Sequence, residues 1–264
     1  MESFKGKRVL ITGGSIGIGQ AIVTRLVKGG AHVVNLSRSK GDWTNLSSEQ
    51  GSVETLTCDI GDSKAVLDAL EQLKQRQDSV DILINNAGIA LGAPKVFWEQ
   101  PLEDIHRVIA TNVLGLVNVT HAAMKLFLGP AAKGTILNIS SITGLEVPIK
   151  GMGEVSYHAS KAFMEGFTNT LRHEAIGTDI RVLTLRPGFV RTNFHFDRMG
   201  KDQEKFEGVF EGLEPLSSED VADAAIWVLS QPERISIKAL DIVPTPQRSL
   251  TQNDREWNSR HQPH

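Results

Sequence analysis

The sequence predicts an α/β fold in a single domain: a doubly wound parallel sheet of about seven strands with helices on both faces. Three observations carry that prediction. Short runs rich in Val, Ile and Leu, stopping at glycine or polar residues, alternate with longer stretches of helical apolar spacing, the pattern of successive βαβ units. The first such run, Arg8-Val9-Leu10-Ile11-Thr12, leads directly into Gly13-Gly14-Ser15-Ile16-Gly17-Ile18-Gly19 and then a helical stretch over residues 20–28. At 264 residues with 40% apolar content, the chain is long enough to bury one large core.

Taken in order, the helix after the glycine loop stops at Gly29-Gly30. Glycines let a backbone approach a pyrophosphate, and a helix N-terminus offers N–H groups and positive dipole. The loop therefore reads as a Rossmann-type nucleotide site, with a merely tight βα turn as the bland alternative. Residues 31–36 form a second strand. An acid at its end would accept from the ribose 2′-OH of NAD, whereas a base would pair with the 2′-phosphate of NADP. Ser37-Arg38-Ser39-Lys40 contains no acid, Arg38 is planar and bidentate, and Asp42 comes a few residues too late, so NADP (NADPH) is preferred over NAD.

Residues 41–50 are a polar loop or ragged helix start, 53–60 a third strand, and 65–75 an amphipathic helix that Asp62 or Ser63 can cap. A fourth strand over 80–84 ends in Asn85-Asn86-Ala87-Gly88, by composition a turn. Residues 102–111 and 113–127 read as long helices. Between them Asn112, inside a helical pattern, is a weak point. The strand over 134–141 carries hydroxyls at its C-terminal end, where open α/β sheets place ligands. A helix then runs to Glu174, and a sixth strand over 180–185 precedes Pro187-Gly188.

Residues 193–212 are polar with interspersed Phe194, Phe196, Phe206 and Phe210, which suit a lid or an interface better than a solvated loop. A helix over 218–229 begins at Ser217 or Ser218 with Glu219 and Asp220 in its first turn, and residues 239–243 close the sheet. The domain thus covers 1–245, with a lid over about 192–212. Residues 246–264 are expected to be an extended tail, ordered only by packing on another subunit.

The formal net charge of −3 suggests neither nucleic acid nor an anionic membrane as partner. Cys58 is the only cysteine, which excludes an internal disulfide and a thiolate zinc cluster, and no metal is expected. The start of the chain is charged where a signal peptide would be apolar, and no apolar run approaches the length of a membrane span. The expectation is a cytoplasmic protein acting on a small molecule.

Tyr157 and Lys161 lie four apart on one helical face, and Tyr157 is the only tyrosine. A free phenol, with a pKa of about 10, is a poor base at neutral pH. An ammonium about 4 Å away at a dielectric of about 20 favours the phenolate by roughly 4 kcal/mol, about three pK units. Alone, such a pair is common on solvated helices.

The loop spacing T-G-x-x-x-G-x-G, Asn-Asn-Ala-Gly at 85–88, the Tyr-x-x-x-Lys pair and Pro187-Gly188 together resemble the short-chain dehydrogenase/reductase family over about residues 5–245. The resemblance implies that Tyr157 exchanges the substrate proton, Lys161 lowers its pKa and holds the nicotinamide ribose, Ser141 binds the substrate oxygen, and Asn112 distorts its helix and positions a relay water. It implies a cofactor cradle of Gly13, Ser15, Ile16, Gly17, Ile18 and Gly19, with Ser37 and Arg38 at the ribose. Asp59 and Ile60 would meet the adenine, and Asn86, Ala87 and Gly88 would flank the cofactor. Pro187, Gly188, Val190 and Thr192 would line the nicotinamide, beside Tyr157 and Lys161.

Two departures stand out. The Ser141–Tyr157 interval is longer than usual, which leaves Ser140 or Ser156 as alternative hydroxyls, and the glycine loop lacks the base found in many NADP-dependent members. The segments Asn86 to Gly92 and Pro215 to Ala222, with Pro244-Thr245-x-Gln247, are similar to NADP-dependent 3-hydroxy acid (serine or allo-threonine) dehydrogenases.

The implied function is hydride transfer between NADP(H) and a carbonyl or secondary alcohol, a carbonyl reductase or alcohol dehydrogenase activity in a homodimer or homotetramer. A non-catalytic NADP sensor and an epimerase on the same fold are the alternatives. An acidic substrate would need a cation such as Arg191, Arg198 or Lys150, whereas a neutral ketone or aldehyde would meet Phe97, Trp98, Phe194 and Phe196.

Overall fold

The structure, a computed structural model, describes residues 4–44, 46, 51–76, 78–127, 133–148 and 155–261. Seven strands form one parallel sheet: β1 (Arg8–Thr12), β2 (His32–Ser37), β3 (Ser52–Thr57), β4 (Ile82–Asn85), β5 (Lys133–Ile139), β6 (Asp179–Pro187) and β7 (Ala239–Ile242). Their order is β3-β2-β1-β4-β5-β6-β7. The order reverses between β1 and β4, and the crevice at that switch point is where the glycine loop lies.

Period-two alternation explains the two cores. Val9 and Ile11 of β1 face one side with Ile22 and Leu26 of α1 (Gly17–Lys28) and Val221 and Val228 of α8 (Ser218–Leu229). Leu10, between them, faces the other with Leu70 and Leu73 of α2 (Ser63–Gln75) and Val119 of α4 (Gly115–Phe127). Asp62 caps α2 by accepting from Lys64 and Ala65 N–H, and Ser217 with Asp220 forms a capping box on α8.

The two helices expected on either side of Asn112 are one continuous run. α3 (Leu102–Ile109) passes through a π turn (Ala110–Leu114) into α4. The third strand stops at Thr57, which leaves Cys58-Asp59-Ile60 in the turn before α2. α5 (Val155–Glu174) is held on the sheet by a buried polar ladder. Asn85 Nδ2 donates to Asn138 Oδ1 at 2.8 Å, and Asn138 Nδ2 donates to Thr168 Oγ1 at 2.7 Å. Asn85 Nδ2 also donates to Thr120 Oγ1 at 3.0 Å, and this buried ladder fixes the rotation of α5 and hence where Tyr157 and Lys161 project.

The lid region holds two short helices, α6 (Asn193–Arg198) and α7 (Gln203–Val209). The tail departs from expectation. It folds back on its own chain, ending in α9 (Trp257–Arg260), because its polar backbone finds partners there: Asn258 N–H donates to Gly212 O at 3.2 Å and Leu250 N–H to Glu146 Oε2 at 2.6 Å. No helix among the described residues is long and apolar enough to cross a membrane.

Candidate active site

The glycine loop is built for close approach. Gly13 and Gly17 have positive φ (66° and 57°), and a Cβ on Gly19 would overlap Gly13 O. Thr12 Oγ1 accepts from Asn86 and Ala87 N–H at 3.1 and 3.0 Å, and Asn86 Nδ2 donates to Gly13 O at 2.9 Å, so the Asn-Asn-Ala-Gly turn locks the loop. Asn35 does the same from β2: its Oδ1 accepts from Gly14 N–H at 2.8 Å, and its Nδ2 donates to Ser15 Oγ at 3.1 Å. Sequence reading missed Asn35, whose only signal is a polar residue inside an apolar strand.

Helix α1 begins at Gly17 with no side-chain cap and no acid in its first turn, leaving its N–H groups and dipole for a phosphate. At the end of β2, Arg38 is exposed and makes no ion pair among the described residues. Asp42 is turned to its own loop, where Thr44 N–H and Oγ1 donate to it at 3.0 and 2.6 Å. Asp59 accepts from Gly61 N–H at 2.9 Å and lines the same cleft. These donors and this uncapped terminus fit a dinucleotide carrying a 2′-phosphate.

A cleft of about 670 Å³ contains every expected cofactor residue, from Gly13 to Gly19 by way of Arg38, Ile60 and Gly88 to Pro187, Val190 and Thr192. Ser141, Tyr157 and Lys161 line it too. Cys58 also reaches it, but burial pushes its thiol up to about 11, so it is an inert wall.

Lys161 is 4% exposed and its Nζ donates to Ile139 O at 2.8 Å. Burial lowers its pKa to about 8, opposed by Glu165 one turn further along α5. Its ammonium lies 5.8 Å from the centroid of the Tyr157 ring. The ammonium therefore lies beside the ring, where a positive charge favours the phenolate.

Gly88 abuts both groups behind this pair: a Cβ there would stand 3.6 Å from Lys161 Nζ and from Asn112 Oδ1. Asn112, 1% exposed, does not line the cleft. Its Oδ1 accepts from Ile89 N–H at 2.8 Å, while its Nδ2 donates to Ile89 O at 2.8 Å and Ser160 Oγ at 3.0 Å. Ser160 Oγ in turn donates to Tyr157 O at 2.7 Å. Asn112 is thus a brace between the turn after β4 and the helix of Tyr157.

Ser141 accepts from Thr143 N–H at 3.2 Å, capping a short 3₁₀ turn (Ile142–Gly144), and its hydroxyl reaches Pro187 O at 3.4 Å. Ser140 lies in the cleft beside it, whereas Ser156 does not. Part of the enlarged interval, residues 149–154 including Lys150, lies outside the described residues.

The lid separates the remaining expectations. Phe194 packs against Tyr157, tilted at 54° with ring centroids 5.3 Å apart, and lines the cleft, but Phe97, Trp98 and Phe196 do not. Arg191 is engaged elsewhere, paired with Glu207 at 2.5 Å and lying over Phe206 and Phe210. Arg198 is 4% exposed and lines the cleft. Its neighbour His195 was not foreseen, since a histidine between phenylalanines in a polar stretch carries no distinct signal. Enclosed by Phe189, Phe194 and Phe210, it is driven down to about 3 by burial and then by Arg198, and its Nδ1 has no hydrogen-bond partner among the described residues.

A family model for short chain dehydrogenases matches residues 7–202. The chain is 37% identical over 243 residues to a serine 3-dehydrogenase of Rhizobium radiobacter, covering 90% of this chain and 94% of that one. It is 34% identical over 253 residues to an NADP-dependent 3-hydroxy acid dehydrogenase of Schizosaccharomyces pombe, covering 94% and 96%. Among solved structures, a serine dehydrogenase in its closed form with NADP+ superposes with a TM-score of 0.84 at 32% identity, over 93% of this chain and 98% of that one.

Proposed function

The chain belongs to the short-chain dehydrogenase family and is an NADP-dependent oxidoreductase, and from that premise we propose that its substrate is a small 3-oxo or 3-hydroxy acid. The observation that carries this reading is Arg198, a guanidinium at 4% exposure in the wall of the cleft that holds Tyr157. A buried guanidinium in a substrate cleft favours a carboxylate over a neutral group. The relatives named for serine and 3-hydroxy acids share such a carboxylate. A neutral aromatic or ketone substrate has less to recommend it, because of the four aromatic side chains considered for it only Phe194 reaches the cleft.

When bound, the nicotinamide supplies or accepts the hydride. Tyr157 then gives its proton to the developing alkoxide or takes it from the alcohol. Lys161, protonated below about pH 8, biases Tyr157 toward the phenolate and holds the ribose. Ser141 donates to the substrate oxygen, while the extended backbone at its position keeps the hydroxyl at the end of β5. The relay water that the family resemblance implies at Asn112 is not held by its amide, which is committed to Ile89 and Ser160 and braces the helix of Tyr157. His195, held neutral by burial, adds no second charge beside Arg198. The residues around 192–212 act as the lid, and the half-exposed Phe163 on α5 suits the dimer interface implied by the family.

The test is NADPH turnover over 3-oxo acids and neutral ketones, with Arg198→Met beside the wild type. Loss of one charged hydrogen bond should lower kcat/KM for the acids about 10- to 100-fold and leave ketones little changed. Equal losses on both classes, or wild-type turnover restricted to ketones, would remove the carboxylate from the reading.

A further inference from the structure

The chain beyond β7 returns to the site. Gln247 and Asn253 form an antiparallel bridge, Arg248 N–H donates to Gln252 O at 3.0 Å, and Asp254 N–H donates to Pro246 O at 2.8 Å, so residues 247–253 make a tight turn. Leu250 stands at its tip, 9% exposed, and lines the same cleft as Ser141, Tyr157 and Arg198.

Three anchors fix that turn. Leu250 N–H donates to Glu146 Oε2 at 2.6 Å, just beyond the 3₁₀ turn that Ser141 caps. At the base, buried Gln247 accepts from Phe189 N–H at 2.9 Å. Glycine at 188 leaves the space that Gln247 Oε1 occupies, since a Cβ would overlap it and displace the amide. On the far side, Arg255 donates to Val209 O and Glu211 O at 3.0 and 2.7 Å, where α7 ends, and a Cβ on Gly212 would collide with Arg255 O. The turn is therefore clamped between the serine loop, the Pro187-Gly188-Phe189 segment and the lid.

We propose that Leu250 is a specificity-determining residue, an apolar wall of the substrate site that limits the length of the chain carried on the reacting carbonyl. The proposal rests on the reading of the cleft as a carbonyl site. A side chain whose backbone is anchored on three sides cannot withdraw, so a substituent long enough to reach it must overlap it. Shortening Leu250 leaves room that longer substituents can fill, whereas enlarging it excludes them.

The experiment compares Leu250→Ala and Leu250→Phe with the wild type over short and medium-length 3-oxo acids and a parallel series of methyl ketones, with NADPH affinity measured by fluorescence. Leu250→Ala should raise kcat/KM of the longer homologues relative to the short ones by about tenfold, Leu250→Phe should reverse that ratio, and NADPH affinity should not move. Unchanged length preference in both variants overturns the proposal. So does a uniform fall across all lengths, which marks Leu250 as structural support alone. Should ketones turn over while acids stay silent, the acid assignment fails and the ketone series still decides Leu250.

Discussion

Lys161→Met should make the cofactor-free protein more stable at neutral pH while abolishing turnover. Lys161 is buried and its pKa falls from 10.5 to about 8. That shift corresponds to about 3 kcal/mol by which folding disfavours the charged lysine. The sign follows from proton counting. Between those two values the unfolded chain binds more protons than the folded one, so stability rises with pH across the window. The penalty is therefore full below about pH 8 and gone above the unfolded value.

Methionine removes the charge with little change in length, but it leaves Ile139 O without the 2.8 Å donor, at a cost of about 1 kcal/mol. The net expectation is a variant about 2 kcal/mol more stable than wild type near pH 7, the gap closing as the pH approaches about 9.5. Urea unfolding of both proteins at the two pH values reads this directly. A variant less stable than wild type at neutral pH, or a gap indifferent to pH, would refute the claim that burial, rather than the carbonyl contact, governs this lysine. A confirmed gain would mean that stability is given up at Lys161 in exchange for function.

Two further outcomes follow from the same geometry. Arg38→Ala should raise KM for NADPH about 10- to 100-fold with little effect on NADH, measured by steady-state kinetics with each cofactor, because it removes the charged donor expected at the 2′-phosphate; parallel changes with both would place the 2′-phosphate elsewhere. Tyr157→Phe should eliminate turnover in both directions yet bind NADPH with nearly wild-type affinity by fluorescence titration, and near-normal turnover would remove Tyr157 from the chemistry.

Much of the site was legible because its residues sit within short motifs whose local geometry is set by few neighbours. The glycine loop, the Asn-Asn-Ala-Gly turn and the Tyr157–Lys161 pair each lie on or beside a strand or helix whose period is visible in the chain. The absence of an acid after β2 was enough for the cofactor. What local pattern left open was which side chains from distant segments share a space. Arg191 and Arg198 look alike as sequence, but one is spent on Glu207 and the other lines the cleft. Asn112 shows only as a helix weak point until Ile89 and Ser160 close around its amide.

The sequence by itself determined the sheet and the nucleotide loop and favoured NADP, because periodicity, the glycine spacing and the end of the second strand are properties of contiguous residues, while the reaction class came from the resemblance that those motifs together carry. Only the tertiary structure decided the burial of Lys161, the neutral His195 and the tail turn carrying Leu250 into the cleft. Each depends on surfaces that meet across long separations: Glu146 and Leu250 are 104 positions apart. Desolvation and contact at such points are set by what packs around a group, and no local pattern records it.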